Sequence, residues 1–403
     1  QCLVGSEMCI RDRIKRVPHY YDEFTCIASG CKDNCCIGGW EIDIDDETAN
    51  YYLNLPGEFG DRLRKAIGRT DEYCFKLKDG KCPFLDNHNL CEIYKELGED
   101  KMGVVCTQFP RYTEYFGNIK EMGIGLACEE AERIILTDKK PFLLVSIDID
   151  EEEIEDEEFD SGLSEYLFEL RDIIFNMLDN ESINLYQKMI YLIAIGHDIQ
   201  TLINLNDFVK IGHYINDLKT KGLSSVKTKY DNIATGYSGD VSNIIMAYNE
   251  LEILNEQWPE TINDIFEILY DEDTSKEQYN KVLKEYWTVI KDRDYEYCNM
   301  LKYFIFRYFM KAAYDHDVFG KVQLAVTNFF VIRDMDIVRW LKNDKMFCLQ
   351  DRIDTVHIFS REVEYSEDNL EVLAEEFIFD DIFKAENLIA LLKENMILFS
   401  DII

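Results

Sequence analysis

The segment Cys26-Ile27-Ala28-Ser29-Gly30-Cys31-Lys32-Asp33-Asn34-Cys35-Cys36 places four cysteines within eleven residues. Five more follow within the first third of the 403-residue chain, at Cys74, Cys82, Cys91, Cys106 and Cys128. Such density is typical of a domain that is cross-linked by metal–thiolate bonds or by disulfides. No secretory signal is visible, and the cytosol keeps cysteines reduced, so the sequence favours metal ligation over an oxidised disulfide protein.

The first residues of the chain are expected to lie outside the fold. Residues 3–12 resemble one reading frame of a common sequencing adapter, so residues 1–13 are set aside as an artefact. The native protein is then predicted to begin near Arg13 or Ile14, and Cys2 and Cys9 carry no structural information.

The composition predicts a globular protein, because 47% of the residues are hydrophobic and 13% are aromatic. A formal net charge of −36 repels nucleic acid and anionic membranes and favours a cationic partner, although it also suits an abundant, soluble cytosolic protein. No run approaches the roughly 18 uninterrupted apolar residues of a membrane span. We therefore expect a cytoplasmic protein with no nucleic-acid partner and no membrane span.

Local patterns in the first part of the chain predict a small, irregular α+β domain over residues 14–147. Alternating residues predict strands at 40–45 and 73–78, and Asp79-Gly80 predicts a tight turn that precedes Cys82. Helices are expected at 90–97 and 126–136, with a hairpin over 112–122 about Gly117-Asn118.

The pattern changes after an acidic stretch at 148–160, which predicts a solvated linker. Beyond it, apolar residues recur at helical spacing, beginning with a stripe from Leu163 to Leu178. Further helices are predicted at 182–205, 240–256, 260–269, 275–291, 295–315, 322–344, 369–377 and 382–398. The predicted fold class is mainly α: the small cysteine-rich metal-binding domain is followed by a larger all-helical region over 161–403.

The cysteine spacing supports a metal site without deciding its type. Thiolates are soft anionic ligands that hold zinc or iron–sulfur clusters and cross-link irregular domains. One cluster with spare thiols, two sites, and zinc all remain open. The chain lacks Cys-x3-Cys-x2-Cys, the usual radical S-adenosylmethionine triad. The adjacent Cys35 and Cys36 are not expected to point the same way, so one of them is expected to ligate and the other to support it.

A chain of motifs in order resembles the bacterial flagellin lysine N-methylases and, more broadly, the cysteine-cluster proteins described as zinc- or iron-chelating. The motifs run from Tyr20-Tyr21-Asp22-Glu23-Phe24-Thr25-Cys26 through Cys31-Lys32-Asp33-Asn34-Cys35-Cys36 and Trp40-Glu41-Ile42-Asp43-Ile44-Asp45 to Cys82-Pro83-Phe84-Leu85, Cys91-Glu92-Ile93-Tyr94, Cys106-Thr107-Gln108-Phe109-Pro110-Arg111 and Ala127-Cys128-Glu129-Glu130-Ala131.

The helical half also resembles the methylase family, through Tyr303-Phe304-Ile305-Phe306-Arg307-Tyr308 and Ser360-Arg361-Glu362-Val363-Glu364-Tyr365-Ser366-Glu367-Asp368-Asn369. Two positions depart from the family pattern. Gly38-Gly39 carries one glycine more than the usual Cys-Cys-x-Gly-Trp, and Tyr365 stands where we expect histidine.

The resemblance implies methyl transfer from S-adenosylmethionine to lysine ε-amines of flagellin or another lysine-bearing protein. It also implies an iron–sulfur cluster at the cysteines, with zinc as the alternative. The expected metal residues are Cys26, Cys31, Cys35, Cys36, Cys82, Cys91, Cys106 and Cys128, and Cys74 lies outside the motifs. Gly123-Ile124-Gly125 is interpreted as a turn, so the dinucleotide-like methyltransferase fold is not expected.

Five further residues are candidates for the methyl-transfer site. Glu362, Glu364 and Tyr365 are predicted to guide and desolvate the lysine, because carboxylates and aromatic rings attract an ammonium group. Arg111 and Arg361 are predicted to bind the cofactor, with structural ion pairs as the competing interpretation. Cys298 and Cys348 lie in apolar helical contexts and are predicted to be buried packing residues.

The rival hypothesis is a non-catalytic zinc- or iron-binding protein. In that case the metal only folds the first domain, and the helical half binds flagellin or another protein partner. Substitutions that separate folding from methyl transfer distinguish the two.

Overall fold

The computed structural model describes residues 13–38, 40, 42–69, 72–151, 156–224, 226, 230–235 and 240–400. Residues 1–12 of the predicted adapter segment, Gly39 and residues 152–155 of the predicted linker lie outside the described residues.

The described chain is mainly helical, which confirms the predicted fold class. The strands are β1 (Arg13–Pro18), β2 (Ile42–Ile44), β3 (Ile67–Arg69), β4 (Tyr73–Phe75), β5 (Arg111–Phe116), β6 (Ile119–Ile124) and β7 (Leu144–Ile149). The helices before residue 140 are α1 (Asp46–Asn54), α2 (Gly57–Ala66), α3 (Glu92–Leu97), α4 (Val104–Gln108) and α5 (Glu129–Thr137).

The longer helices follow. They are α6 (Ser161–Leu178), α7 (Leu185–Asn204), α8 (Phe208–Lys221), α9 (Val241–Asn249), α10 (Trp258–Leu269), α11 (Lys276–Ile290), α12 (Tyr295–Tyr308), α13 (Ala312–Asp315), α14 (Val318–Lys342), α15 (Leu349–Val363), α16 (Glu367–Phe379) and α17 (Ala385–Ser400). Among the helices of the described residues, none is both long and apolar enough to cross a membrane.

The chain divides into two compact units. The cysteine unit comprises Tyr21–Thr113 and Met122–Ile134. The helical unit comprises the described residues of Gln1–Tyr20, Glu114–Glu121 and Ile135–Ile403. The division of the fold into a cysteine-rich part and a helical part therefore corresponds to two units, although neither is one continuous stretch of sequence.

The unit boundaries differ from those expected from the sequence, because the predicted linker begins inside a strand. β7 extends to Ile149 and pairs antiparallel with β1, from Pro18 opposite Leu144 to Arg13 opposite Ile149. The linker's last residue, Asp160, caps α6 by accepting a hydrogen bond from the amide of Leu163 at 2.9 Å. Because 148–160 is acidic, the sequence predicted neither the end of a strand at Ile149 nor the helix cap at Asp160.

A buried ion pair joins β6, a strand of the four-stranded sheet, to α6. The sheet has the order β5-β6-β1-β7, and β1 runs parallel to β6 with Ile14 opposite Ile119. Glu121 of β6 accepts two hydrogen bonds from the guanidinium of Arg171, one of them 2.7 Å from Nη1 to Oε2. Both side chains are almost fully buried, so each charge depends on the other for compensation.

The core of the helical unit is centred on α14. Every residue from 322 to 338 is buried, so this helix is enclosed on all sides, and its buried residues include polar and charged ones such as Gln323 and Asp336. The neighbouring α15 was missed from the sequence because it buries charge: Arg352 Nε lies 3.2 Å from Asp336 Oδ2 of α14, and both side chains are inaccessible. Buried charges of this kind interrupt the apolar stripe that predicts a helix.

The cysteine unit has a small core beside a three-stranded sheet of order β2-β4-β3. Ile42 and Ile44 of β2 pack with Tyr52, Phe75 and Phe84 in one buried cluster. The predicted turn after β4 is confirmed, since Asp79 and Gly80 both have positive φ, at 52° and 71°. Lys78 and Lys81 pair across it, and Cys82 follows directly.

We predict that Arg171→Met lowers the free energy of unfolding by about 3 kcal/mol or more, because Glu121 is left buried without its cation. The double variant Glu121→Leu, Arg171→Met should lose clearly less. Chemical denaturation of both variants checks this. Equal losses in the single and double variants would contradict the account.

Candidate metal centre

Four of the predicted metal residues lie against the core of the cysteine unit. Cys82 belongs to the buried cluster itself, and Cys36, Cys91 and Cys106 pack against it. Cys36 lies in the loop before β2, and Cys82 follows the Asp79-Gly80 turn. Cys91 directly precedes α3, and Cys106 lies within α4. The core therefore gathers thiols that are widely spaced in the sequence.

The loop that carries Cys31, Cys35 and Cys36 is held by side-chain acceptors. The carboxylate of Glu129, at the start of α5, accepts hydrogen bonds from the backbone amides of Lys32 at 3.0 Å and Asp33 at 2.9 Å. Asn34 is buried, and its Oδ1 accepts the amide of Cys36 at 3.0 Å. From the sequence, Glu129 stood out only as part of the Ala127–Ala131 motif. The signal for its role was an acidic residue directly after Cys128 at a helix start.

Backbone hydrogen bonds fix the remaining thiols. The amide of Cys82 donates to the carbonyl of Cys36 at 2.8 Å, which joins the end of the hairpin turn to the cysteine loop. Cys91 is the N-cap of α3, and its Sγ accepts the amide of Tyr94 at 3.5 Å. Trp40 donates from Nε1 to the carbonyl of Cys35 at 2.8 Å. Each contact fixes a position from which a thiol can meet the others.

Hydrogen bonds and charge interactions link the pKa values of these thiols to one another and to Cys35. The pKa of Cys36 is raised, first by a hydrogen bond with Cys35 and then by one with Cys82. The pKa of Cys82 is lowered by its hydrogen bond with Cys36, which outweighs the effect of burial. The adjacent Cys35 and Cys36 thus interact with each other, and which of the two would ligate a metal stays a prediction.

Burial and mutual repulsion act on the other members. Burial raises the pKa of Cys31, and the charge of Glu129 raises it further. Burial also raises the pKa of Cys91, and it raises the pKa of Cys106 and of Cys128 to about 12. Cys35 contributes to every one of these shifts. A bound cation would reverse this effect, because it favours the thiolate form.

The structure places two other cysteines differently. Cys26 is exposed, and among the contacts of the described residues its Sγ meets the backbone amide of Ala28, at 3.4 Å. Cys74 is buried on β4, opposite Asp43 and Gly68.

The donor chemistry fits a soft metal or an iron–sulfur cluster, because several partly buried thiols belong to one small core or pack against it. Within the described residues, no three His, Cys, Asp or Glu side chains already stand as a complete metal-ligand set. The metal role of all eight predicted cysteines stays a prediction.

Arg111 lies beside aromatic rings of the cysteine unit. Its guanidinium carbon is 4.9 Å from the ring centroid of Phe24 and 5.6 Å from that of Tyr21. Nη2 also donates to the carbonyl of Phe24 at 3.5 Å. These contacts stabilise the segment that leads into Cys26, and a cofactor-binding role for Arg111 stays a prediction.

The predicted catalytic carboxylates lie in the helical unit, where protein donors surround them. Glu362 is fully buried and accepts the backbone amides of Leu254, at 3.1 Å, and Asn255, at 2.7 Å. Burial raises the pKa of Glu362, and the two amides oppose that shift. The side chain of Asn369 supports the same loop by donating to the carbonyl of Glu252 at 3.0 Å.

Glu364 takes part in a second buried network. Its carboxylate accepts hydrogen bonds from Tyr308 at 2.9 Å, Tyr303 at 3.3 Å and Ser360 at 2.5 Å. Arg361 is buried, with Nη1 3.5 Å from His357 Nε2. Tyr365 differs from its neighbours because 38% of its surface is exposed. Catalytic and cofactor roles for these residues stay predictions.

Comparison with known proteins identifies the family. The FliB lysine N-methylase C-terminal domain matches residues 171–391, more than half of the chain. The chain therefore belongs to the FliB lysine N-methylase family. This confirms the resemblance found in the sequence. No solved structure matches the chain.

Individual relatives match a shorter segment. A lysine-N-methylase of Salmonella typhimurium (strain LT2) is 31% identical over 129 residues, which cover 30% of this chain and 32% of that protein. The lysine-N-methylase of Salmonella choleraesuis (strain SC-B67) matches to the same extent. The flagellar biosynthetic protein FliU of Salmonella muenchen is also 31% identical over 129 residues, and 76% of it is covered. The match spans about a third of the two lysine-N-methylases.

We predict that Glu129→Ala increases the rate at which iodoacetamide alkylates Cys31 about fivefold or more, because losing about 1 kcal/mol of local stability raises the open population by that factor. Removing the Glu129 charge acts in the same direction, since it lowers the pKa of the thiol. Glu129→Gln keeps an acceptor oxygen and should change the rate less. Peptide mass spectrometry measures the alkylation rate of Cys31, with the alkylation rate of the exposed Cys348 as the reference. An unchanged alkylation rate of Cys31 in Glu129→Ala would show that the Glu129 carboxylate does not hold the cysteine loop in place.

We predict that Glu362→Ala destabilises the 250–255 loop by about 1–2 kcal/mol, because two backbone amides lose their charged acceptor. Hydrogen exchange of the Leu254 and Asn255 amides should accelerate accordingly. Glu371→Ala, an exposed carboxylate on α16, is the matched control and should stay within about 0.5 kcal/mol of the parent. Equal exchange rates in the two variants would show that Glu362 does not hold the loop.

Proposed function

We propose that this protein is a lysine N-methylase that transfers a methyl group from S-adenosylmethionine to lysine side chains of flagellin or another flagellar protein. The observation that carries the proposal is the family match over residues 171–391. The names of the relatives support the activity, as lysine-N-methylase, and the flagellar setting, as flagellar biosynthetic protein FliU.

The proposed reaction balances as one substitution. The neutral ε-amine of lysine attacks the methyl carbon of the sulfonium, the N–C bond forms, and the S–C bond breaks to leave S-adenosylhomocysteine. The lysine must first lose a proton, and the product amine loses another. Groups that desolvate the ammonium and accept its proton therefore favour the reaction.

Burial differs among the three candidate residues, and it supports separate proposals for their roles. Glu362 and Glu364 are buried and engaged by protein donors, so we assign them to holding the region in place. Tyr365 is the exposed member, and its ring is accessible to a lysine from another protein. We therefore propose that Tyr365 contacts the incoming lysine and that the two carboxylates support its position.

We propose that Cys35 and its neighbours hold a metal, either an iron–sulfur cluster or zinc. A cluster would supply thiolate-ligated iron and cross-link the loops of the cysteine unit, and zinc would supply the cross-link alone. The coupled, desolvated thiols support this proposal, because their thiolate forms repel one another unless a cation lies between them. Cys31, Cys36, Cys82, Cys91, Cys106 and Cys128 are the partners of Cys35.

We expect the protein, purified without oxygen and kept reduced, to transfer labelled methyl groups from S-adenosylmethionine to lysines of purified flagellin. Cys35→Ser should lower the transfer at least tenfold, because the proposed metal site loses the thiol that interacts with all the others. The control is Cys348→Ser. Cys348 was predicted to be buried, which is wrong: the residue is exposed as the N-cap of α15, where serine is well suited.

Two outcomes of this assay would contradict the proposals separately. If the parent protein transfers no methyl group to flagellin, the proposed activity is wrong. If Cys35→Ser retains full activity without bound metal, methyl transfer does not depend on the thiol group, and the metal has another role.

A further inference from the structure

Strand β7 presents an open edge on the helical unit. It is the last strand in the order β5-β6-β1-β7, and its inner side pairs with β1 along its whole length. Among the residues that the structure describes, no strand pairs with its outer side. Unpaired strand edges are sites for the addition of another strand, and proteins usually block them.

The register shows which backbone groups face outward. The amide of His19 donates to the carbonyl of Leu143 at 2.9 Å, so Leu143 turns its backbone groups toward β1. Hydrogen-bonded positions alternate in an antiparallel pair, so Val145 and Ile147 also face β1. The N–H and C=O groups of Ser146 and Asp148 therefore point away from the sheet.

The side chains of this segment alternate between apolar and acidic or polar. Leu143, Val145 and Ile147 are 62%, 44% and 48% exposed and share one face, because successive side chains of a strand point to opposite faces. Ser146 and Asp148 are exposed on the other face. The edge thus offers an exposed apolar row on one face and Ser146 with the single Asp148 carboxylate on the other, without the lysines or prolines that commonly block such edges.

We propose that the outer edge of β7 binds an extended, lysine-bearing segment of the protein substrate by strand addition. Naming the ligand as the substrate rests on the proposed methylase function. Main-chain hydrogen bonds to Ser146 and Asp148 supply the pairing, apolar side chains of the segment cover Val145 and Ile147, and its lysines lie beside Asp148.

Charge decides between this occupant and a second copy of the chain. Two copies would each bring a net charge of −36 to the contact, and the β7 edge itself carries Asp148. A lysine-bearing strand has the complementary charge and is attracted to the same edge. The edge therefore favours a cationic partner over self-association.

Binding of a labelled peptide tests the proposal without any methyl donor. The probe is a capped peptide of four Val-Lys repeats, and its control is the same peptide with every backbone amide N-methylated, which keeps the charge and removes strand pairing. We expect the full-length protein to bind the probe at least tenfold more tightly than the control. Equal binding of the two peptides would overturn strand addition, because charge alone would then explain the affinity.

Variants of the protein locate the site. Ser146→Pro removes one outward N–H and should weaken binding of the Val-Lys peptide at least tenfold, whereas Ser146→Ala keeps that N–H and should bind within twofold of the parent. Asp148→Lys changes only an exposed side chain and keeps the test valid if the proline variant unfolds. It should weaken the Val-Lys peptide and strengthen a Val-Glu peptide. Parent-like binding by both Ser146→Pro and Asp148→Lys would overturn the proposal.

Two further readouts separate this proposal from its alternatives. Ser146→Pro should raise KM for flagellin with little change in kcat; an unchanged KM in a protein that methylates flagellin would overturn the docking site and leave the methylase function standing. Sedimentation should find the parent and Ser146→Pro in the same oligomeric state. A parent dimer that Ser146→Pro dissociates would assign the edge to a second copy and overturn the proposal.

Discussion

We propose that mutual repulsion among partly buried thiolates is the constraint on which the cysteine unit depends. Cys35 influences the pKa of six other cysteines, and burial raises the pKa of most of them. Such a group stays together either as neutral thiols or around a cation that favours thiolates. Thiols are supplied by the loop that Glu129 holds, by the turn before Cys82 and by the starts of α3 and α5. We infer that the irregular architecture of the unit serves to bring these cysteines together.

The helical unit is organised by buried charge as much as by apolar packing. Arg171 with Glu121, and Arg352 with Asp336, place ion pairs where neither partner reaches water. Glu362 belongs to the same pattern, since it holds the loop after α9 through backbone amides. Glu362 and Glu364 of the Ser-Arg-Glu-Val-Glu motif are buried among protein donors, whereas their neighbour Tyr365 is 38% exposed.

Much of the fold was predictable where a local signal agreed with the tertiary structure. Asp79-Gly80 specified its turn through positive φ, and the apolar stripe of α6 specified a helix. β1 and β7 were missed because their pairing is non-local and their residues are charged or follow no clear alternation. α15 was missed because Arg352 and its neighbours bury charge.

The candidate site shows the same division. The number and spacing of the cysteines predicted a metal site from the sequence. The effect of Cys35 on the other thiols and the hydrogen bonds of Glu129 to the cysteine loop depend on contacts between segments that are distant in the sequence. The catalytic candidates were suggested by resemblance alone, and sequence patterns carry no information on which carboxylate a folded chain will surround with donors. The open edge of β7 was likewise invisible before its register with β1 was known.

The proposal that the cysteine unit binds a metal is tested most directly by measuring metal and acid-labile sulfide per chain. The protein is purified without oxygen and without residues 1–12. The account predicts bound metal in stoichiometric amount: iron with matching sulfide for a cluster, or zinc without sulfide for a structural site. A folded chain that contains no metal, with its cysteines either all titrating as free thiols or paired in disulfides, would contradict the claim that this unit is built to hold a cation.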